Sequence, residues 1–393
     1  MPERPKRILV ALYHSYIDTS SGAAISLRDL MEALARSGWE VRVFSGPRLD
    51  FEEPKTNEEL LTEQGISFKS YKTSDQGVDI RLNLFRSNGV DCGVWVPNEP
   101  QAEPNQEVGT AWLNAYREIL ESWRPDCVIT YGGFWVTRPL AQLARNVGAR
   151  TMFYLCNYGY SDGTLFQEFD VTITLSEFHA QWYREHVGIE SVPIYPLIPR
   201  ERYLCVREPE SQFITFVNPQ PHKGVYIFTK IAEVLGKRRP DIPFLVVEGR
   251  ASVDCLEVTG ADLSSVSLFR MKNTPDPRDY LKVTRIMLVP SVWQESFGRV
   301  AAEAMMNGIP VIGSDRGSLP EVICDEQFSL PIPDYVTPGF RGEVSARDVE
   351  PWMQAIEKLC DDEEYYGNIV EQAVRQSDNW SEESIVAEFE QLA

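Results

Sequence analysis

The sequence is poor in the residues that build metal or redox centres. Its four histidines fall at 14, 179, 186 and 222, and its seven cysteines at 92, 127, 156, 205, 255, 324 and 360. No CxxC pair and no metal-like cluster occurs and the cysteine count is odd, which points to reduced thiols in a cytosolic protein. No apolar run approaches the roughly 18 residues a membrane-spanning helix needs. The apolar stretch Ile8–Tyr13, behind a charged start, is too short for a signal peptide and reads as the first strand. An excess of positive charge is also missing: 38 Lys+Arg stand against 58 Asp+Glu, for a net charge of −20, and neither half of the chain is basic. This counts against nucleic acid and against docking on an anionic membrane. There is no Walker loop, no Ser-His-Asp spacing, no DxD-like metal motif in the loops at strand ends, no internal repeat and no low-complexity tract.

What is present is a chain of 393 residues, 43% hydrophobic and 11% aromatic, enough for two or three well-packed domains. Short apolar runs alternate with helical stripes. Arg7–Leu12 reads as a strand, His14–Gly22 as its loop, Ala23–Ser37 as a helix with Leu27, Leu30, Met31 and Leu34 in its stripe, and Trp39–Ser45 as the next strand: a βαβ unit. Residues 46–110 are expected to be short strands and long surface loops. Alternation resumes through Ala111–Trp123, Asp126–Tyr131, Pro139–Val147, Arg150–Leu155 and Val171–Leu175, with Ser176 capping a helix Glu177–His186. Pro193, Pro196 and Pro199 mark a linker. A second series follows, with strands at Phe213–Val217, Phe244–Val247 and Val266–Phe269 and helices at Gly224–Arg239, 276–283, 346–362 and 378–392. The pattern predicts an α/β protein with domains at 1–200 and 201–376 and a final helical segment, 377–393.

The stretch Pro290–Val322, PSVWQESFGRVAAEAMMNGIPVIGSDRGSLPEV, organises the rest. It reads as a strand end, a loop, a helix Gly298–Asn307, a strand Ile309–Ile312 and a second loop. Ligands of open α/β sheets bind outside the carboxyl ends of strands, where both loops open. Glu295 and Glu303 are eight residues apart and are expected to share a face. The N–H groups at Phe297, Gly298 and Arg299 suit a phosphate. Lys223, in the loop NPQPHKG between a strand and a helix, suits a diphosphate, and Arg250 or Arg299 would add charge. His14 and His222 lie in loops at strand ends, whereas His179 and His186 sit on a helix and read as structural. Asp315 reads as a turn residue and Glu321 as a sugar or structural contact.

The run from Glu295 to Val322 resembles the signature of the retaining nucleotide-sugar glycosyltransferases of family 4 (glycosyl transferases group 1): Glu-x-Phe-Gly, four residues, Glu-Ala, then Gly-x-Pro-Val-Ile. The resemblance implies the GT-B fold, two Rossmann-like domains with parallel sheets facing across a cleft, and transfer of a sugar from a nucleoside diphosphate to a hydroxyl acceptor with retained configuration and without a metal or other cofactor. It implies that Glu295 contacts the donor sugar, that Glu303 holds the ribose hydroxyls, that the backbone of Ser296, Phe297, Gly298, Arg299 and Val300 faces sugar and diphosphate, that residues 46–110 cover the acceptor side, and that the final helix, 377–393, returns to the first domain. Met271, after a strand, falls where the family's backbone reads the base. His14, Lys223 and Glu295 would be the reacting groups, with Gly22 lining the donor side. Three departures stand out. The family's paired glycines appear as Ser21-Gly22-Ala23, its loop arginine is absent from Asn218–Lys223, and its frequent His-Asp is Cys156-Asn157. Those gaps leave open another GT-B enzyme, such as a nucleotide-sugar epimerase, or a sugar-nucleotide binder without activity. The acceptor, a glycan precursor, glycolipid or small metabolite, is unspecified, and a homo-oligomer is compatible with such a chain.

Overall fold

The computed structural model describes residues 4–51, 54–99, 102–208, 211–274 and 276–393. Pro100 and Gln101 of the Pro/Glu/Asn-rich segment lie outside them. The chain divides into two compact units, one of Met1–Leu175, Ala180–Leu197 and Glu382–Ala393, the other of Ser176–His179 and Ile198–Ser381.

In the first unit the strands are β1 (Arg7–His14), β2 (Glu40–Arg48), β3 (Lys69–Asp75), β4 (Val78–Ser87), β5 (Val90–Pro97), β6 (Cys127–Thr130), β7 (Arg150–Tyr154), β8 (Val171–Thr174) and β9 (Val192–Pro193). They form one sheet in the order β3-β4-β5-β2-β1-β6-β7-β8-β9. From β5 to β9 the pairing is parallel, and β3-β4-β5 is an antiparallel meander. Central β1 is buried from Ile8 to Tyr13, as a parallel strand covered on both faces must be. Helix Gly22–Arg36 buries Leu27, Leu30, Met31 and Leu34, the i, i+3, i+4, i+7 stripe. Around Trp112 the core stacks Phe44 at 5.1 Å and Tyr116 at 6.0 Å between ring centroids. Each such side chain removed from water contributes about 1.5–3 kcal/mol.

The meander corrects the expectation of short strands and loops over 46–110. β4 has 10 residues and β5 has 8. Two tight turns close the hairpins, Gln76-Gly77 (φ 47° and 86°) and Asn88-Gly89 (φ 47° and 87°). Both central residues are left-handed, the geometry that matches strand twist and favours Asn-Gly. The last helix, Glu382–Glu390, counts with this unit: Glu382 pairs with Arg36, and Glu390 accepts the Trp39 indole N–H at 2.9 Å.

The second unit holds β10 (Phe213–Val217), β11 (Phe244–Val247), β12 (Leu268–Met271), β13 (Thr284–Val289), β14 (Val311–Ser314) and β15 (Ser329–Leu330), all parallel, in the order β12-β11-β10-β13-β14-β15. Counted from its own first strand this is 3-2-1-4-5-6, the doubly wound order, whose switch point lies between β10 and β13. A helix not foreseen in the sequence, Glu363–Gln376, follows Glu350–Asp361 after a break at Asp362, whose side chain caps it by accepting the Tyr365 N–H. Ser176 accepts the His179 N–H at 3.0 Å, as its position before a helix predicts.

Candidate donor-binding site of the second unit

The loops after β10 and β13 meet at the switch point. The first is the short turn Pro221–Lys223, closed by Gly224 at φ 93°. A Cβ on Gly224 would stand 1.8 Å from the Pro290 carbonyl oxygen, so glycine is required there by close approach as well as by φ. The second is joined to the first through backbone: the Val292 and Trp293 N–H groups donate to the His222 carbonyl at 2.9 and 3.3 Å.

This junction brings Lys223 to Glu295. The ammonium donates to Glu295 Oε1 at 2.7 Å. The same oxygen accepts the Ser291 hydroxyl at 2.5 Å and the Trp293 indole N–H at 2.9 Å. Burial works to raise the Glu295 pKa. The Lys223 charge and the three hydrogen bonds outweigh it, and the carboxyl titrates below the usual range. Lys223 also lies 4.6 Å from the Trp293 ring centroid. The His222 ring lies tilted against Trp293, centroids 4.3 Å apart, and its pKa is lowered by burial and by the charges of Lys223 and Arg250, with Glu295 acting against them. Arg250, exposed just beyond β11, is thereby placed near the same site.

A third loop, after β14, braces Glu295 from behind. Glu295 forms a parallel bridge with Gly317, and Ser318 donates both N–H and Oγ–H to the Glu295 carbonyl, each at 2.9 Å. Ser314 donates to the Ser291 carbonyl at 2.7 Å. The Glu321 carboxylate accepts the N–H groups of Glu177 and Phe178 at 3.0 Å each, a structural contact in place of a sugar contact. Asp315 pairs with its neighbour Arg316.

The helix after the second loop is Arg299–Met306, one residue shorter at each end than expected, with left-handed Gly298 (φ 96°) as its N-cap and no side-chain cap. The premise that Glu295 and Glu303 share a helical face therefore fails. Gly298 turns the chain between them, and Glu295 is held by loops. A Cβ on Gly298 would lie 2.6 Å from Leu319 Cδ2, so this glycine serves internal packing in addition to any ligand. Phe297 is buried with its ring 5.8 Å from that of Trp380, which leaves only its backbone for a ligand. Ser296 and Val300 are half-buried. Glu303 is 6% exposed, and Arg299 lies beside it, Nε to Oε1 3.3 Å. Arg299 also donates to the Tyr203 hydroxyl at 2.9 Å and covers that ring. Of the two arginines offered for the missing loop charge, Arg299 is thus committed to Glu303 and Tyr203, while Arg250 is the exposed one. Met271 ends β12, and its carbonyl accepts the Glu248 N–H at 2.9 Å.

His14 and Gly22 belong to the first unit. His14 ends β1 at that sheet's own switch point, between β1 and β6. Its ring packs on Phe134 and Tyr131 at 5.0 and 5.2 Å. Burial lowers its pKa to about 4, with Arg48 adding to the effect and Asp50 and Asp18 opposing it, so the imidazole is neutral at pH 7. Nδ1 is buried without a hydrogen-bond partner. A Cβ on Gly132 would sit 2.9 Å from His14 Cε1, which is why glycine follows Tyr131. Gly22, exposed, opens helix Gly22–Arg36, and Ser21 before it makes no side-chain cap. Asp18 is a loop clamp, accepting Ser20 N–H, Ser20 hydroxyl and Asp50 N–H at 2.6–2.7 Å.

Sequence reading missed Ser291, Trp293 and Ser318. For the first two the signal was proximity: both stand within four residues of Glu295 in one loop, whose bends at Val292 and Trp293 turn them onto its carboxylate. Among the described residues no group of three or more His, Cys, Asp or Glu could hold a metal ion, and no helix is long and apolar enough to cross a membrane.

Comparison with known proteins places these features. The family profile "Glycosyl transferases group 1" matches residues 206–376, and "Glycosyl transferase 4-like domain" matches residues 21–197. D-inositol 3-phosphate glycosyltransferase of Paenarthrobacter aurescens is 29% identical over 171 residues, covering 42% of this chain and 39% of that protein. The matched stretches span less than half the length of such relatives. Among solved structures, the catalytic domain of starch synthase IV from Arabidopsis thaliana bound to ADP and acarbose aligns with a TM-score of 0.67 at 14% identity, over 99% of each chain. HepE from Anabaena in complex with UDP aligns with a TM-score of 0.68 at 14% identity, over 98% of this chain and 99% of that one. At such identities the likeness is one of fold.

Proposed function

This chain belongs to glycosyltransferase family 4, with the GT-B fold, and on that footing we propose that it transfers a sugar from a nucleoside-diphosphate sugar to a hydroxyl acceptor, with retention and without a metal. The observation that carries the reading is the meeting of Lys223 and Glu295 at the carboxyl ends of β10 and β13, the switch point of a doubly wound sheet. Charge grows on the diphosphate as the glycosidic bond breaks. Lys223, Arg250 and the N–H groups at the start of Arg299–Met306 are the groups suited to meet it. Glu295, kept ionised in a buried setting, is suited to accept hydroxyls of the donor sugar. Glu303 would hold the ribose hydroxyls, and the backbone beyond β12 at Met271 would face the base. His14, neutral with an unpartnered nitrogen, is suited to accept a hydrogen bond from a sugar hydroxyl. Cysteines outside any disulfide are in keeping with work in the cytosol.

A panel of nucleotide sugars tested by thermal shift, then by transfer and hydrolysis assays, tests the reading. A donor at 100 times its Kd stabilises the protein by about 2.7 kcal/mol and raises its melting temperature. Binding without sugar release would favour a binder, release of a free epimer an epimerase, and no stabilisation by any nucleotide sugar would end the proposal.

A further inference from the structure

The donor-free site has a conflict of occupancy. Lys223, the cation suited to the diphosphate, is already held at 2.7 Å by Glu295 and lies over the Trp293 ring. An ammonium is a compact point charge, and a carboxylate and a diphosphate compete for it. Once it moves, Glu295 loses the charged partner on its Oε1 and stays in a setting where burial favours the neutral acid. Two neutral donors remain on that oxygen, Ser291 Oγ and Trp293 Nε1. Trp293 is well suited to stay behind. The residue is 41% exposed, so packing alone does not fix it, yet it is fastened through its indole N–H, its ring contact with His222 and its backbone N–H on the His222 carbonyl.

We infer that the Lys223–Glu295 ion pair is a latch opened by the donor's diphosphate, and that Trp293 is a positioning residue that, with Ser291, holds Glu295 in place after Lys223 has moved. This rests on the reading of Lys223 as a diphosphate ligand.

Calorimetry with UDP and with ADP on four proteins, wild type, E295Q, K223A and the double variant, tests the latch. The E295Q amide keeps the shape of the carboxylate and removes its charge, so Lys223 need not be pulled from a carboxylate. E295Q should bind the tighter of the two nucleotides roughly three- to thirty-fold more strongly than wild type. That gain should vanish when Lys223 is already alanine, since the cycle isolates the pair. A gain that persists in the K223A background reports simple charge repulsion by Glu295 and overturns the latch. So does no gain at all. A wild-type protein that binds neither UDP nor ADP, and none of GDP, CDP or dTDP, refutes both the latch and the function it rests on, whereas binding with the wrong pattern across the four proteins refutes the latch alone. For Trp293, W293F keeps an aromatic ring and loses the N–H donor. The kcat profile reports the donor complex and kcat/KM the free protein. The acid limb of kcat should move up by about one pH unit and that of kcat/KM for the donor by clearly less, because before binding Lys223 still serves Glu295 beside the lost indole donor. Equal shifts in the two limbs, or none in either, overturn the assignment.

Discussion

Gly317→Ala isolates the brace behind Glu295. Gly317 has φ 64°, where a side chain costs about 1–2 kcal/mol through its own backbone. A Cβ there would also stand 2.2 Å from the Glu295 carbonyl oxygen and 2.4 Å from its nitrogen. Neither atom can yield cheaply, because Glu295 is bridged to Gly317 itself and its carbonyl accepts two bonds from Ser318. Forcing the two loops apart should cost about 1–3 kcal/mol more. Gly260→Ala is the control. It lies in the same unit, has φ 73°, and a Cβ would meet nothing within 4 Å. Denaturant unfolding followed by tryptophan fluorescence, with Trp293, Trp352 and Trp380 reporting on this unit, gives both losses on one scale. Gly260→Ala should lose about 1–2 kcal/mol and Gly317→Ala about 2–5 kcal/mol. Donor binding should weaken only in the second. Equal losses in the two variants would refute the reasoning, since they would mean that the Glu295 backbone gives way freely.

Three further expectations can be measured directly. Lys223→Ala should lower turnover roughly 10²-fold while changing nucleoside-diphosphate affinity much less, and calorimetry beside steady-state kinetics separates the two; if Arg250→Ala takes that loss instead, the leaving-group role passes to Arg250. Glu303→Gln should weaken nucleotide binding by about 1.5–3 kcal/mol, read by calorimetry, and an unchanged affinity would remove Glu303 from the ribose. His14 has a folded pKa of about 4, depressed below its unfolded value, so its contribution is fully present above pH 6.5 and is lost as pH falls from there towards 4. Relative to His14→Gln, the wild type should therefore lose roughly 3 kcal/mol of stability over that interval, and parallel pH–stability curves for the two proteins would refute the buried neutral imidazole.

The parts of the fold legible in the sequence are those fixed by local pattern. Helix Gly22–Arg36 shows its stripe and its Gly38 stop, and the β10 and β13 runs announce buried parallel strands. The run from Glu295 to Val322 likewise announced the loops, helix and strand it contains. What escaped was set by turns or by distant partners. Asn88-Gly89 is a hairpin signal between β4 and β5, whereas the Gln76-Gly77 turn is hidden among polar neighbours because β3 is exposed along nearly all its length. Helix Glu363–Gln376 buries only Tyr366 and Ala373, too thin a stripe to stand out. The shared face of Glu295 and Glu303 failed at a single residue, Gly298, whose left-handed turn no spacing rule carries. The choice between Arg250 and Arg299 could not be read at all, because Tyr203, which engages Arg299, is 96 residues away in sequence.

The placement of Glu382–Glu390 with the first unit has a consequence for synthesis. A ribosome finishes Leu197 long before it reaches Glu382, about 185 residues later. At ordinary elongation rates that is on the order of ten to forty seconds. Throughout that interval Trp39 and Arg36 lack the partners they have in the finished fold, and the whole second unit emerges in between. The nascent first unit must therefore wait, with an apolar helix face uncovered, in the crowded stretch of time when chaperones choose their clients.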